Sequence, residues 1–421
     1  MKTMKIPSGW KLCKQSDIST FYNGRAYKLS EWETEGTPVI RLQNLTGTGN
    51  EYYYSNLKLP EHQYANNGDL LYMWSATFGP KIWQGEKAIY HYHIWKVVCK
   101  DDLLDQSFMY YNLDFITESM KSKTNGSTML HFTKKGMEEH EILLPPLAEQ
   151  QKIAEVLSTV DKKIDLIDQK IAETEKLKAG LMQKLFSEGV GVQDDNGEWQ
   201  PHTEFQDSPF GKIPKCWSVE TLGEHTIKVG SGVTPKGGSK AYVDTGIPLI
   251  RSQNVLFGKF KLDDVAFITE QQHEKMKGSQ LHPRDVLLNI TGASIGRCAV
   301  LPADFEEGNV NQHVCIIRMS QAITPEFCGW FLNSNLGQKQ IWNLQAGGNR
   351  EGLNFQQIRS FRIPVLTVEE QCSIVDILST VSDKLNLLEQ QKTETHQLKK
   401  GLMQKLLTGE WRVPVEETEA A

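Results

Sequence analysis

Catalysis needs a few side chains of the right type at the right spacing, and this 421-residue sequence offers few. His91 and His93 flank Tyr92 and invite a reading as metal ligands. No carboxylate or cysteine cluster accompanies them, so the alternation fits two strand residues on one face better. Asp304, Glu306 and Glu307 form an acidic turn of the kind that could hold Mg²⁺, but with no paired lysine it reads as a solvated loop. No G-x-x-x-x-G-K-[ST] phosphate loop is present, and Pro235-Lys-Gly-Gly-Ser-Lys240 has the wrong order for one. There is no G-x-G-x-x-G fingerprint opening a helix. Nor is there an Asn-Pro-Pro-Tyr-type tetrapeptide to hold a flipped base, since Pro145-Pro146 lies between Leu144 and Leu147. The expectation is a chain with no catalytic residues, no metal and no cofactor of its own.

Composition agrees with a soluble protein of two or three domains, at 39% hydrophobic and 23% charged residues. The first residues carry lysines but no apolar run after them, and no stretch reaches the roughly 18 apolar residues of a membrane helix. The seven cysteines are odd in number and never form C-x-x-C, which argues against a disulfide framework or zinc ribbon. A cytoplasmic location follows as the expectation. Lysine and arginine number 46 against 52 acidic residues, a net charge of −6, which excludes a protein that simply coats nucleic acid.

The elements that must position any site come from an internal repeat. Glu149 to Ser187 and Glu370 to Thr408 align at a constant offset of 221 (401 minus 180), with 20 of 39 positions identical. Ile153, Leu157, Val160, Ile164, Ile167 and Ile171 step by four and three residues, and the frame then slips to Leu177, Leu181 and Leu185. The second copy follows with Ile374, Leu378, Val381, Leu385 and Leu388, then Leu398, Leu402 and Leu406. That is an apolar seam at coiled-coil spacing. Each copy predicts a helix of about 39 residues, roughly 58 Å long, with the other copy as its partner in an antiparallel rod. Gly189 and Gly409 are the expected stop signals.

Weaker matches extend the repeat. Trp10 after Ile6-Pro7 corresponds to Trp217 after Ile213-Pro214, and Ile40-Arg41 with Gln43-Asn44 corresponds to Ile250-Arg251 with Gln253-Asn254. Ile247–Arg251, Asp285–Asn289 and His313–Arg318 read as short buried strands, and residues 324–344 as helical. The predicted fold is mixed α/β (α+β): a globular domain at 1–143, a helical region at 144–189, a linker at 190–212, a second globular domain at 213–365, a second helical region at 366–412, and an acidic tail at 413–421. Gly-Leu-Met-Gln-Lys-Leu occurs twice, at 180–185 and 401–406. This predicts two copies of one partner about a pseudo-twofold axis, contacted by Gln183, Lys184, Gln404 and Lys405.

Leu144-Pro-Pro-Leu-Ala-Glu-Gln150 with its helix, and Ile363-Pro-Val-Leu366 with Glu370-Gln371 and its helix, carry a resemblance to a known family. So do Thr234-Pro235, Ile250-Arg-Ser-Gln-Asn254, Thr291-Gly-Ala-Ser-Ile-Gly-Arg297 and Asn311-Gln-His313. From about residue 6 to residue 412 the chain resembles the specificity subunit of type I restriction-modification systems. The first domain departs from the pattern, with Trp74-Ser-Ala-Thr-Phe-Gly79 in place of the Thr-Gly-Ala-Ser-Ile-Gly string. The resemblance implies two target-recognition domains reading the halves of a split, asymmetric double-stranded DNA sequence. It implies two methyltransferase subunits on the helices, and restriction subunits that translocate and cleave. S-adenosylmethionine, ATP and Mg²⁺ would belong to those partners.

Arginine pairs with guanine, asparagine and glutamine pair with adenine, and lysine mainly meets phosphate. On that chemistry the expected DNA contacts are Lys236, Lys240, Arg251, Gln253, Asn254, Arg297, Gln312, Asn349 and Arg350 in the second domain. In the first they are Arg25, Arg41, Gln43, Asn44, Lys121, Lys123 and Lys134. Asn349-Arg350, after Gly347-Gly348, is the foremost of these. Arg41 and Arg251, being equivalent in domains that should read different bases, suit phosphate or structure better than base reading. Half-site centres about one helical turn, roughly 10 bp, apart are expected. The competing readings are a tether of two protein partners without a DNA role, and an autonomous methyltransferase or nuclease with a divergent site. The charge partition fits DNA recognition: the linker and tail hold −7 between them, while 213–365 holds +3.

Overall fold

The computed structural model describes residues 6–123, 133–235, 237–345 and 352–415. The chain divides into two compact units, Met1–Gln169 with Gln390–Ala421, and Lys170–Glu389. Each unit holds half of each of two long helices, Leu147–Glu188 and Val368–Leu407. No helix among the described residues is long and apolar enough to cross a membrane.

The first unit contains a four-stranded antiparallel sheet in the order Ser19–Asn23, Ile94–Cys99, Leu70–Ser75, Thr77–Ile82. Beside it in sequence runs a mixed sheet, Tyr53–Ser55, Thr37–Ile40, Ala88–Tyr90, Tyr64–Ala65, whose central pair is parallel. The second unit repeats the plan. Its antiparallel sheet is Thr226–Ser231, Val314–Met319, Val286–Asn289, Cys298–Val300, and its mixed sheet is Ala266–Ile268, Ile247–Ile250, Asn309–Val310, again with a parallel pair. Before each long helix a two-stranded ladder closes the unit, Lys11–Lys14 with Glu141–Leu144 and Ser218–Thr221 with Arg362–Val365. The repeat that sequence shows strongly only in the helices thus extends to both sheets and the closing ladder, with three strands in the second mixed sheet against four in the first.

Three strands form where alternating or continuous apolar runs predict them, at 247–250, 286–289 and 314–319. The helical stretch near 324–344 is two helices, Pro325–Asn333 and Asn335–Gln345. Thr324 caps the first through its hydroxyl with Pro325 in the first turn, and the Ser334 hydroxyl donates to the Phe331 carbonyl at 2.6 Å where the two helices meet. The stretch expected as a linker carries two short hairpins, Val192–Gln193 with Trp199–Gln200 and Phe205–Ser208 with Gly211–Pro214.

The helices run antiparallel within each unit. In the first, Asp168 pairs with Lys392 at 2.6 Å and Asp161 with Lys399 at 2.8 Å, so one heptad back along one helix is one heptad forward along the other. In the second, the Lys178 ammonium donates to the Ser382 hydroxyl at 3.2 Å. The seam is shared between domain core and helix partner. Ile153, Leu157, Met403 and Leu406 lie in the first unit's core with Phe21, Tyr72 and Phe108. Leu185, Phe186, Ile374 and Leu378 lie in the second's with Phe327 and Phe331. Leu177 and Leu398, expected on the seam, are instead 54% and 52% exposed. At that level the following lysines turn inward, Lys178 over the Trp330 ring at 4.9 Å and Lys399 over the Tyr111 ring at 5.5 Å, their stems supplying the apolar surface.

A buried Glu-Gln pair opens each long helix. The Glu149 carboxylate accepts the Trp10 indole N–H at 3.0 Å and a two-pronged contact from Arg412, at 2.6 and 2.8 Å. The Glu370 carboxylate accepts the Trp217 indole N–H at 2.9 Å, the backbone N–H groups of Val190 and Gly191, and His202 Nε2 at 2.9 Å. Gln150 bridges the Leu103 and Pro145 carbonyls and the Asp105 N–H, each at 2.9 Å. Gln371 bridges the Ala322 and Leu366 carbonyls at 2.9 Å and the Thr324 N–H at 2.8 Å. The glutamates thus pin the entry tryptophan and the chain that follows the other helix, and the glutamines pin the start of each domain's own helix.

Burial pushes the Glu149 carboxyl up, but the hydrogen bonds from Arg412 and Trp10 outweigh it and hold it below its usual range. Its folded value is therefore depressed, so its contribution is present above the ordinary carboxylate range and is lost as pH falls through it. Glu149→Ala should destabilise the first unit by about 2–4 kcal/mol, since it strands a buried indole N–H and an arginine. Thermal unfolding at pH 7 should show the loss, and the gap between wild type and variant should shrink as pH is lowered towards 3. A gap independent of pH would contradict the charge-assisted pin.

Candidate nucleic-acid interface

In the first unit the expected arginines converge through rings. Arg25 stacks over Tyr27 at 4.5 Å, Tyr27 stacks on Trp32 at 4.5 Å, Trp32 meets Tyr53 at 4.6 Å, and Arg41 lies over Tyr53 at 4.9 Å. Arg25 also holds Glu31 at 2.5 Å, and this partner raises the guanidinium's affinity for its proton. The result is a partly exposed aromatic shelf with a cation at each end, suited to stacking and to phosphate or base-edge contact. Tyr27, Trp32 and Tyr53 are not among the residues expected from sequence. A signal for one exists: when Gly36-Thr-Pro-Val-Ile40 is set on Gly246-Ile-Pro-Leu-Ile250, Trp32 falls on Tyr242.

His91 and His93 border the shelf in a turn rather than on a strand, because Ala88–Tyr90 ends before them and Ile94–Cys99 starts after them. Their rings are 5.2 Å apart. Burial, then His93 and Arg41, push His91 down to about 4, so it is neutral near pH 7 and the arginines supply the positive charge here. Gly24 makes this approach possible, since a Cβ there would run into the His91 carbonyl. Gly232 stands in the same relation to the Val310 carbonyl in the second unit.

Asn44 and Asn254 do structural work. Each side-chain oxygen accepts the backbone N–H of Arg41 or Arg251, at 2.9 and 3.0 Å, and each amide donates to two carbonyls of the following loop. This shared turn explains why both domains carry the same residues there. Gln43 lies half-buried on the short helix Leu42–Thr46.

In the second unit Arg251 and Gln253 both reach Asp264. The guanidinium donates to its carbonyl at 2.8 Å, and the Gln253 amide donates to its carboxylate at 2.6 Å. Arg251 also lies 5.9 Å from the Tyr242 ring. Gln312 is exposed in the turn that matches 91–93, bonded to the Thr234 hydroxyl and lying 3.0 Å from His313 Nε2, whose other ring nitrogen meets the Thr291 hydroxyl at 2.6 Å. Arg297 is half-buried, and Lys240 is exposed on the turn Gly238–Ala241.

The remaining expected residues lie on other elements. Lys121, paired with Glu118 at 2.9 Å, and Lys123 end the helix Gln106–Lys123, and Lys134, paired with Glu138 at 3.4 Å, opens the helix Lys134–Glu138. Lys236, Asn349 and Arg350 lie outside the described residues. On the long helices Gln183, Lys184 and Gln404 are exposed, and Lys405 is half-buried with an ion pair to Glu410. Asp304, Glu306 and Glu307 are exposed. Among the described residues the possible metal ligands that gather are Glu220, Glu224 and His225, where His225 lies 2.8 Å from the Glu220 carboxylate.

Residues 7–176 and 214–397 match the family described as the type I restriction modification DNA specificity domain. The MjaVIII type I restriction enzyme specificity subunit of Methanocaldococcus jannaschii is 28% identical, over 98% of this chain and 95% of its own length. The EcoBI specificity subunit of Escherichia coli is 25% identical, over 97% and 88%. Among solved structures, the type I restriction-modification S subunit from M. genitalium superposes with a TM-score of 0.57 at 16% identity, covering 97% of this chain and 98% of that one. A chain from a type I R-M system, solved for its complex assembly and conformational transition, gives 0.59 at 16%, over 97% and 100%. With the family matched twice, over both halves of the repeat, the chain belongs to the specificity subunits of type I restriction-modification systems.

Proposed function

We propose that the globular domains at 1–143 and 213–365 each read one half of a bipartite, asymmetric duplex DNA target. The helical regions at 144–189 and 366–412 would set the spacing and dock two methyltransferase subunits. The segments 190–212 and 413–421 serve as linker and tail. The chain acts in the cytoplasm as a non-catalytic subunit, with restriction subunits joining the complex, and S-adenosylmethionine, ATP and Mg²⁺ are used by those partners. The observation that carries this reading is one sheet plan used twice, with Arg41 and Gln43 repeated as Arg251 and Gln253 but different residues around them: Arg25, Tyr27, Trp32 and Tyr53 in one unit, and Tyr242 and Gln312 in the other. A shared framework with unlike surfaces suits two different half-sites.

The DNA contacts in this reading are Arg25, Arg41 and Gln43 with Lys121, Lys123 and Lys134 in the first domain. In the second they are Lys236, Lys240, Arg251, Gln253, Arg297, Gln312, Asn349 and Arg350. Asn44 and Asn254 hold the turns that present them. The partner contacts are Gln183, Lys184, Gln404 and Lys405.

Binding of the assembled complex to a duplex carrying its target tests the DNA role, and affinity should fall steeply with salt. Arg41→Ala and Trp32→Ala should each lower affinity roughly tenfold for the intact target, Arg41→Ala weakening all sequences alike and Trp32→Ala losing discrimination only in the half-site read by the first domain. Unchanged affinity and discrimination in both variants would remove the shelf from the interface. For the partners, Gln183→Glu should reduce bound methyltransferase subunits from two to one in native mass spectra, as should Gln404→Glu. Retention of two copies in both variants would contradict docking at the repeated sequence.

A further inference from the structure

Each copy of the repeated Gly-Leu-Met-Gln-Lys-Leu sequence flanks a groove inside its own unit. In the first unit a groove of about 780 Å³ lies between the helix Gln106–Lys123 and the second long helix, lined by Asp114, Phe115, Glu118, Lys400, Met403 and Gln404 among others. In the second a smaller one, about 340 Å³, lies between Ala179–Ser187 and the start of the helix Asn335–Gln345, lined by Ala179, Met182, Gln183, Asn333 and Leu336, with Phe210 of the hairpin.

The grooves are counterparts, residue by residue. The offset of 221 sets Met403 on Met182, Gln404 on Gln183 and Lys400 on Ala179. The glutamine pins fix the other wall: Asp105 donates to Gln150 and Thr324 to Gln371, and nine residues on from these stand Asp114 and Asn333. Both grooves thus offer the same methionine and amide, but in different electrostatic settings. The first is lined by Asp114, Glu118, Lys399 and Lys400, with Lys399 tied to Asp161 and Asp114 at 2.8 and 3.4 Å. The lining of the second contains no charged residue. Lys178, the counterpart of Lys399, is outside that lining, where it meets the Ser382 hydroxyl and the Trp330 ring, and burial followed by Lys259 lowers its affinity for a proton.

We infer that the two grooves bind the same partner surface unequally, one copy through a more salt-sensitive contact centred on exposed Lys400 and the other through a less salt-sensitive contact centred on Met182, beyond what Lys405 and Lys184 contribute alike to the two. The inference rests on the reading above, in which the occupant of each groove is a methyltransferase subunit. Exposed charge pairs weaken as salt screens them, with a Debye length of about 8 Å at physiological ionic strength, while apolar and amide contacts do not. One partner molecule is therefore released before the other as salt rises.

The test is a titration of the full-length chain with its methyltransferase subunit, followed by native mass spectrometry and calorimetry from 50 to 500 mM NaCl. Two steps are expected, of which one weakens more steeply with salt. Lys400→Ala should weaken that step about threefold at low salt and flatten its salt dependence, leaving the other step unchanged. Ala179→Lys, at an exposed helix position, should steepen the salt dependence of the second step. Two steps with equal salt slopes, or a Lys400→Ala chain that titrates like wild type, would overturn the inference while leaving the docking intact. Failure of any methyltransferase subunit to bind would overturn both.

Discussion

A charged group buried at the first turn of a helix must be fully paired or the helix cannot dock, and this requirement organises the molecule. Glu149 and Glu370 are 2% exposed, and each is satisfied only when the chain entering its domain and the chain leaving the other long helix both arrive. The two solutions differ in chemistry. Arg412 supplies a permanent charge in the first unit, whereas in the second His202 and two backbone N–H groups share the task. The adjoining glutamines extend the constraint to the domain helices. Everything that presents a reading surface is thereby referred to the first turns of the two long helices.

That arrangement separates what must stay constant from what can vary. The pins, the ladders at 11–14 and 218–221, and the turns stapled by Asn44 and Asn254 are alike in both units. The surfaces carried on them are not: beside the shared arginine and glutamine stand Arg25 and three adjoining rings in one, and a single tyrosine with Gln312 in the other. A half-site preference could change through such surface residues without disturbing the buried carboxylates, since the two sets share no side chain.

Much of the architecture was legible in the sequence because it is written twice. The seam periodicity placed both helices to within two residues at their starts, and the entry tryptophans and Glu-Gln pairs could be matched by eye. The fate of Leu177 and Leu398 was not legible, because a heptad count does not show that a lysine stem lying on an aromatic ring can fill the inward position. The aromatic shelf was hidden for a similar reason. Tyr27 and Trp32 lie five residues apart in a loop and Tyr53 joins them only through a strand pairing, so hydrogen-bonding type points to Arg25 and Arg41 but not to the rings between them. By the same chemistry Asn44 and Asn254 suit adenine, although their amides are consumed by their own loops.

The central claim is that this chain decides which DNA sequence its complex acts on. Single-molecule sequencing of genomic methylation, in cells carrying the partner subunits with and without this chain, tests it most directly. The account predicts one bipartite adenine-methylated motif that appears only with the chain. It also predicts that exchanging residues 213–365 for those of a relative changes one half of the motif alone. A motif that persists without the chain, or an exchange that alters both halves or neither, would contradict it.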